Sequence, residues 1–114
     1  MKRCEHARLS SLTNFWNTSL LEYVEEESVQ FVRLKAMFRD ESILHVGEFL
    51  SLDKSTYSYH WQNAADTLIL RWDNAPHHRH ISTFPHHLHD RQGVKPSERV
   101  FIEEVLREIV KRLD

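Results

Sequence analysis

Histidine is concentrated in one segment of this sequence. Residues 76–89 read PHHRHISTFPHHLH and contain six of the nine histidines in the chain. A Pro-His-His-x-His pattern occurs there twice, at 76–80 and at 85–89. Because histidine titrates near neutral pH and its neutral ring binds transition metals, the segment could hold a metal ion or carry out acid–base chemistry. A third interpretation is that the rings only hold a loop in place through hydrogen bonds.

The spacing within each repeat bears on metal binding. Alternate residues of an extended chain point to the same side. Each repeat would therefore place two histidines together, His78 with His80 and His87 with His89. Neutral imidazoles bind zinc, copper or nickel. Adjacent histidines do not easily share a metal, however, and the sequence shows no pattern of supporting groups. We therefore expect no dedicated metal cofactor and only adventitious zinc or nickel; if a metal is bound, its candidate ligands are His78, His87 and His89.

Acid–base chemistry on a phosphodiester fits the same segment together with the basic residues near it. Cleaving RNA without a metal requires a base for the 2′-hydroxyl proton, an acid for the leaving oxygen and a cation for the phosphate. Histidine suits both proton roles because its ordinary pKa lies near neutral pH. The candidate catalytic residues are His60, Arg71, His77, His78, His86 and His87. The candidate phosphate-binding residues are Arg71, Arg91 and Lys95.

Other residues in and before the segment are expected to shape the loop rather than to react. Asp73 and Asn74 favour a side-chain-capped turn after the preceding strand. Phe84 is expected to anchor the second half of the loop against the sheet. The residues to which we assign this structural role are Trp72, Asp73, Asn74, Phe84 and Pro85.

Length and composition limit the class of protein. The chain has 114 residues, 40% of them hydrophobic, which is enough for one domain over residues 1–114 with a modest core. The formal net charge of −2 leaves the protein near neutral, so any phosphate-binding surface must be local. The single cysteine excludes an internal disulfide, and no apolar run reaches the ~20 residues of a membrane span. We expect a cytoplasmic protein with no membrane partner.

Four stretches with a two-residue period predict the strands that position these residues. They are VQFVRLKAMFRD, SILHVGEFLSL, STYSYHWQ and TLILRWD, and short polar turns join them into an antiparallel meander. In the third stretch three aromatic residues, the first of them Tyr57, alternate with polar ones that include His60. If the aromatic side chains face the core, His60 shares the opposite face with Arg71 and Asp73. The histidine segment would then cover a polar cleft.

The N-terminal part of the chain predicts a helix. Apolar residues recur there at spacings of three and four, which is typical of one helical stripe; they are Leu9, Leu12, Trp16, Leu20 and Tyr23. We expect this helix to extend to about Asn17. Residues 19–28 fit either a helix or a strand.

The C-terminal part predicts a loop and a second helix. Residues 74–95 have neither period, which indicates a long histidine-rich loop. After Pro96-Ser97-Glu98, an apolar stripe predicts a C-terminal helix packed on the sheet. The predicted fold is therefore α+β: an N-terminal helix, a four-stranded antiparallel meander sheet, a long histidine-rich loop and a C-terminal helix.

The second half of the chain resembles a known family. The run YSYHWQNAADTLILRWDNAPHH is followed by STFPHHLH and then KPSE. These motifs in this order resemble the TumE-like family of small prokaryotic proteins, which are toxins of type II toxin–antitoxin modules. The resemblance implies a cognate small antitoxin as partner and an action on RNA or translation.

The residues and the resemblance together predict the toxin of a prokaryotic toxin–antitoxin pair. The candidate activity is that of a metal-independent endoribonuclease, with RNA as a further partner. Two alternatives stay open: a non-catalytic module that binds protein or nucleic acid, and a metal-dependent enzyme with histidine ligands. The oligomeric state is also open, with a dimer as one expectation.

Overall fold

The computed structural model describes residues 16–113, which form one antiparallel sheet and a helix. The elements are β1 (Trp16–Glu26), β2 (Val29–Phe38), β3 (Ile43–Ser51), β4 (Ser55–Gln62), β5 (Leu68–Asp73), β6 (His87–Asp90), β7 (Gly93–Pro96) and α1 (Ile102–Leu113). Each strand pairs antiparallel with the next one in the chain, so the seven-stranded sheet is a meander. Strands that are neighbours in sequence are therefore neighbours in the sheet.

The predicted N-terminal helix is wrong over the residues that the structure describes, because Trp16–Glu26 forms β1. Residues 1–15, which carry the rest of that prediction, lie outside the described part of the chain. β1 pairs with β2 along its length, with a register shift between Leu20 and Glu22. The shift interrupts the two-residue alternation of apolar residues along the strand. The apolar residues are therefore spaced in the sequence as they would be in a helix, although pairing with β2 makes this segment a strand. Residues 19–28 are strand followed by a turn.

The sheet has seven strands instead of the predicted four. Three strands are additional to the predicted ones. One is β1, and the other two, β6 and β7, lie in the segment predicted as a loop. Each of these two has four residues, which is too short to show a two-residue period. The Asp90 carboxylate builds their turn by accepting the N–H groups of Gln92 and Gly93. Gly93 has a φ of 137°, in the left-handed region that favours glycine. The long loop is therefore confined to residues 74–86.

The core lies between α1 and one face of the sheet, which we call the helix face. The predicted packing of a C-terminal helix on the sheet is confirmed, since Ile102, Val105, Leu106 and Ile109 are all at most 3% exposed. The buried apolar and aromatic residues of the sheet are Val32, Leu34, Ala36, Phe38, Leu44, Val46, Tyr57, Tyr59, Trp61, Leu70 and Trp72. The described part of the chain is thus mostly sheet with one helix, not the two-helix α+β arrangement that was predicted.

Candidate functional site

The opposite face of the sheet, which we call the histidine face, carries two rows of mainly polar residues. Each row consists of residues that are paired directly across β2 to β6. The first row is Lys35, His45, His60, Arg71 and His89. The second row is Arg33, Gly47, Ser58, Asp73 and His87. The register of the sheet therefore brings histidine and arginine side chains from separate strands onto one surface.

Asp73 is the buried acidic group of this surface, with 4% of its area exposed. Its carboxylate accepts hydrogen bonds from Arg71 Nε at 2.7 Å and from the Ala75 N–H at 3.0 Å. It also lies 2.9 Å from Nε2 of His87 and 3.6 Å from Nε2 of His89. Burial alone would raise the pKa of Asp73, but the Arg71 and Ala75 hydrogen bonds and the charge of His87 hold that pKa below its usual value. Asp73 is therefore an anion that fixes Arg71.

Arg71 also contacts His60, and the two line a groove. Arg71 Nη1 lies 3.2 Å from His60 Nδ1, and because guanidinium can only donate, the imidazole nitrogen accepts. The groove has a volume of about 380 Å³ and is lined on its polar side by Arg33, His45, Ser58, His60 and Arg71. Sequence reasoning missed Arg33 and His45 as members of this site.

The two histidines of the groove favour the neutral form. Burial is the main cause that lowers the pKa of His60, and Arg71 and then His45 lower it further. Burial also lowers the pKa of His45, followed by the charges of Lys35 and Arg33. The rings of His45 and His60 are neighbours, with centroids 6.2 Å apart. At neutral pH both rings are therefore mainly uncharged. The lone pair of the uncharged His60 ring is on Nδ1, where it accepts from Arg71, so His45 is the ring that can take a proton from a bound substrate.

Three of the histidines singled out from the sequence, His78, His87 and His89, come together beside Asp73. Their ring centroids are 4.8 Å apart for His78 and His87, 4.8 Å for His87 and His89, and 5.5 Å for His78 and His89. The loop of residues 74–86 supplies His78, and β6 supplies the other two. This group, which we call the histidine cluster, lies next to the groove because Arg71 bonds both Asp73 and His60.

The other candidate histidines of the segment do not join this group. His77 and His80 are exposed, and their ring centroids lie 6.5 Å and 6.2 Å from that of His78. His86 is on the helix face, where its Nδ1 lies 2.9 Å from the Tyr57 hydroxyl. Burial and then the charge of Arg99 lower the pKa of His86. The segment therefore divides between the two faces of the sheet.

Two of the three predicted phosphate-binding residues lie away from the groove. Arg91 donates from Nε to the Leu68 carbonyl at 3.2 Å, and Lys95 pairs with Asp90 at 2.6 Å. Both belong to the β6–β7 hairpin, and neither lines the groove. Arg71 is the predicted phosphate-binding residue that the structure brings to His60.

The residues predicted to shape the loop lie in the core, on the histidine face and in the loop itself. Trp72 is in the core, while Asp73 belongs to the histidine face. Asn74 ties the start of the loop to β4, because it accepts the Tyr57 N–H at 3.0 Å and donates to the Ser55 carbonyl at 2.8 Å. Phe84 is 37% exposed, its ring is covered by Arg79 at 5.5 Å, and the Phe84–Pro85 peptide bond is cis.

Comparison with known proteins gives the family to which this chain belongs. Residues 9–113 match the family described as toxin TumE. No curated protein and no solved structure matches the chain. The match makes the chain a toxin of a toxin–antitoxin system, with a cognate antitoxin as its partner. The chain belongs to the toxin TumE family, which confirms the resemblance seen in its motifs.

The helix of the structure was compared with what a membrane span requires. Within residues 16–113, no helix has both the length and the apolar character needed to cross a bilayer.

Proposed function

We propose that this toxin acts on RNA as a metal-independent endoribonuclease and that the groove of the histidine face is its active site. The observation that supports this is the contact of 3.2 Å between Arg71 and His60, beside a second imidazole from His45. A cation and two imidazoles are the groups that cleavage of an RNA phosphodiester requires. The volume of about 380 Å³ is in the range that accommodates a nucleotide-sized ligand.

The proposed reaction uses the 2′-hydroxyl of RNA as the nucleophile. The neutral ring of His45 takes the 2′-hydroxyl proton while the 2′-oxygen forms a bond to phosphorus. The bond from phosphorus to the 5′-oxygen breaks, and the His60 ring, protonated once the phosphate anion is bound and accepts from Arg71 in its place, gives its proton to that oxygen. The products are a 2′,3′-cyclic phosphate and a 5′-hydroxyl.

Arg71 and Arg33 supply the positive charge for the phosphate. Arg71 is held by Asp73 through Nε, which leaves its terminal nitrogens directed toward His60 and the groove. Guanidinium groups bind phosphate oxygens with two parallel hydrogen bonds, so a positioned arginine stabilises the charge that builds up in the transition state. Asp73 is therefore a positioning residue, because it acts on the phosphate only by holding Arg71 in place.

The test is RNA cleavage by the purified full-length chain in the presence of a chelator. Wild type, His60→Gln and the matched variant His80→Gln, which changes an exposed histidine outside the groove, are incubated with total RNA. We expect His60→Gln to lose at least about 100-fold in cleavage rate, as loss of a positioned proton-transfer group does, and His80→Gln to keep the wild-type rate. The ends of the fragments should carry cyclic phosphate and 5′-hydroxyl groups.

Two results would contradict this function. Intact RNA with the wild-type chain is one, and equal cleavage by wild type and His60→Gln is the other. Growth arrest on induction with intact cellular RNA would instead support a toxin that acts by binding alone.

A further inference from the structure

In the histidine cluster, a hydrogen bond of one imidazole determines which of its ring nitrogens carries a hydrogen. His87 is 2% exposed, and its Nδ1 lies 2.8 Å from the Pro85 carbonyl oxygen. A carbonyl only accepts, so Nδ1 carries a hydrogen and donates it. In the neutral ring this leaves a lone pair on Nε2, which lies 2.9 Å from Oδ1 of Asp73.

Two acceptors this close and this well buried require a cation between them. A proton on Nε2 would satisfy the pair of His87 and Asp73 by itself. It would not account for His89, whose ring also faces this carboxylate, or for His78, whose ring lies against the other two. His89 places Nε2 3.6 Å from Oδ2 of Asp73, and the candidate ligand nitrogens of His78, His87 and His89 all lie within 4.8 Å of one another.

The spacing of these atoms is close to that of a zinc site. Zinc binds imidazole nitrogen and carboxylate oxygen at about 2.0–2.2 Å, so neighbouring ligand atoms of a tetrahedral site lie about 3.3 Å apart. Nε2 of His87 lies 2.9 Å from Oδ1 of Asp73 and Nε2 of His89 lies 3.6 Å from Oδ2, so each imidazole is near that distance from one of the two carboxylate oxygens. The hydrogen bond from His87 to the Pro85 carbonyl is also of the kind that orients histidine ligands of metals.

We propose that His78, His87 and His89 bind a zinc-type divalent transition metal ion, with Asp73 as the fourth ligand. Four protein ligands are typical of a structural zinc site, and here they come from the loop of residues 74–86, from β5 and from β6. The ion joins the loop to the sheet beside the groove. It takes no part in the cleavage proposed for His45 and His60, and the proposal does not depend on that activity.

The first test is metal binding by the full-length chain, purified without a histidine tag and freed of metal with a chelator. Titration calorimetry with Zn²⁺ is expected to give one ion per chain for wild type. His89→Ala should weaken Zn²⁺ binding by at least about 100-fold, and Asp73→Asn by about 10- to 100-fold, the size seen when groups around a bound metal are altered. Substitution with Co²⁺ should give the visible absorption of a four-coordinate ion in wild type.

Two control variants separate this site from other histidines. His80→Ala removes an exposed histidine of the same loop, and His60→Gln removes the groove imidazole; both should bind Zn²⁺ like wild type. Zn²⁺ should also raise the melting temperature of wild type and His80→Ala but not that of His89→Ala, since a ligand of the folded state stabilises it.

Either of two results would overturn the metal site. The first is wild-type affinity for Zn²⁺ in a His78→Ala/His89→Ala double variant, which means that the ion binds elsewhere. The second is no Zn²⁺ binding and no four-coordinate Co²⁺ spectrum with wild type, which means that a proton alone joins His87 and Asp73. Because His60→Gln is expected to lose cleavage and keep the metal, failure of either proposal can be told from failure of the other.

Discussion

The two faces of the sheet are built by the same strands and have opposite characters. Between the two rows of the histidine face runs an apolar row on the helix face. Its residues, each paired directly with the next, are Leu34, Val46, Tyr59, Trp72 and Leu88. Each of them is one residue away in sequence from a residue of the histidine face. Alternation along β2 to β6 therefore assigns the core to one face and the polar groups to the other.

The faces also differ in how their groups are stabilised. On the helix face, α1 covers large apolar side chains, so burial from water stabilises that side. On the histidine face, Asp73 and His87 are buried polar groups. The cost of burying the Asp73 carboxylate is offset by the hydrogen bonds that it accepts from Arg71 and Ala75, and His87 donates to the Pro85 carbonyl. Substitutions on the helix face should therefore change stability, and those around the groove should change function.

The largest loss of stability is expected from the helix face. Ile109 is fully buried in the middle of α1, and Ile109→Ala should lower the free energy of unfolding by about 4 kcal/mol through lost burial and a residual cavity. Urea denaturation followed by circular dichroism measures this. The control Arg107→Ala, on the exposed side of the same helix, should leave the unfolding midpoint nearly unchanged. Equal effects of the two would mean that α1 does not complete the core.

A somewhat smaller loss is expected from the buried pair on the histidine face. In chelator, Asp73→Ala should cost about 3 kcal/mol because it leaves His87 buried without its partner and frees Arg71. Asp73→Asn keeps the shape and an acceptor for the Ala75 N–H, so it should cost less. Urea denaturation of both variants measures the difference. If neither variant is destabilised, the histidine face contributes nothing to folding.

The division of the histidine segment between the faces can be tested at Tyr57. Tyr57→Phe removes the hydroxyl that contacts His86 and should cost about 1 kcal/mol in unfolding free energy. RNA cleavage and toxicity should stay at wild-type levels, because His86 lies on the face away from the groove. A loss of cleavage in this variant with its fold intact would bring His86 back into the site and end the separation of the faces.

The smallest effect concerns pH and the groove histidines. The pKa values of His45 and His60 are lowered on folding, so the unfolded chain binds more protons as pH falls through about 6.5. Their contribution to stability is thus present above that pH and is lost progressively below it. Urea midpoints of metal-free protein between about pH 7.5 and 5.5 should fall with pH. The His45→Gln/His60→Gln double variant should show a shallower fall, and an identical slope would contradict the burial of these rings.

Much of the groove can be predicted from the alternation of residues within single strands. The groove residues that were not predicted depend on how the strands pair. The alternation in STYSYHWQ and TLILRWD predicted a shared face for His60, Arg71 and Asp73, and the register pairs His60 with Arg71. His45 was missed because a single histidine in an apolar strand carries no signal of its own. Its position beside His60 depends on the register between β3 and β4, which pairs residues 15 apart in the sequence.

By itself, the sequence determined the family, the alternating strands β2 to β5 and the apolar stripe of the C-terminal helix. Tertiary structure decided that Trp16–Glu26 is a strand, and it placed the adjacent residues His86 and His87 on opposite faces. His87 belongs to the histidine face because β6 pairs with β5 in the register that sets it opposite Asp73. A shift of one residue would exchange the two faces of a strand, and pairing between strands, not the local sequence, selects the register.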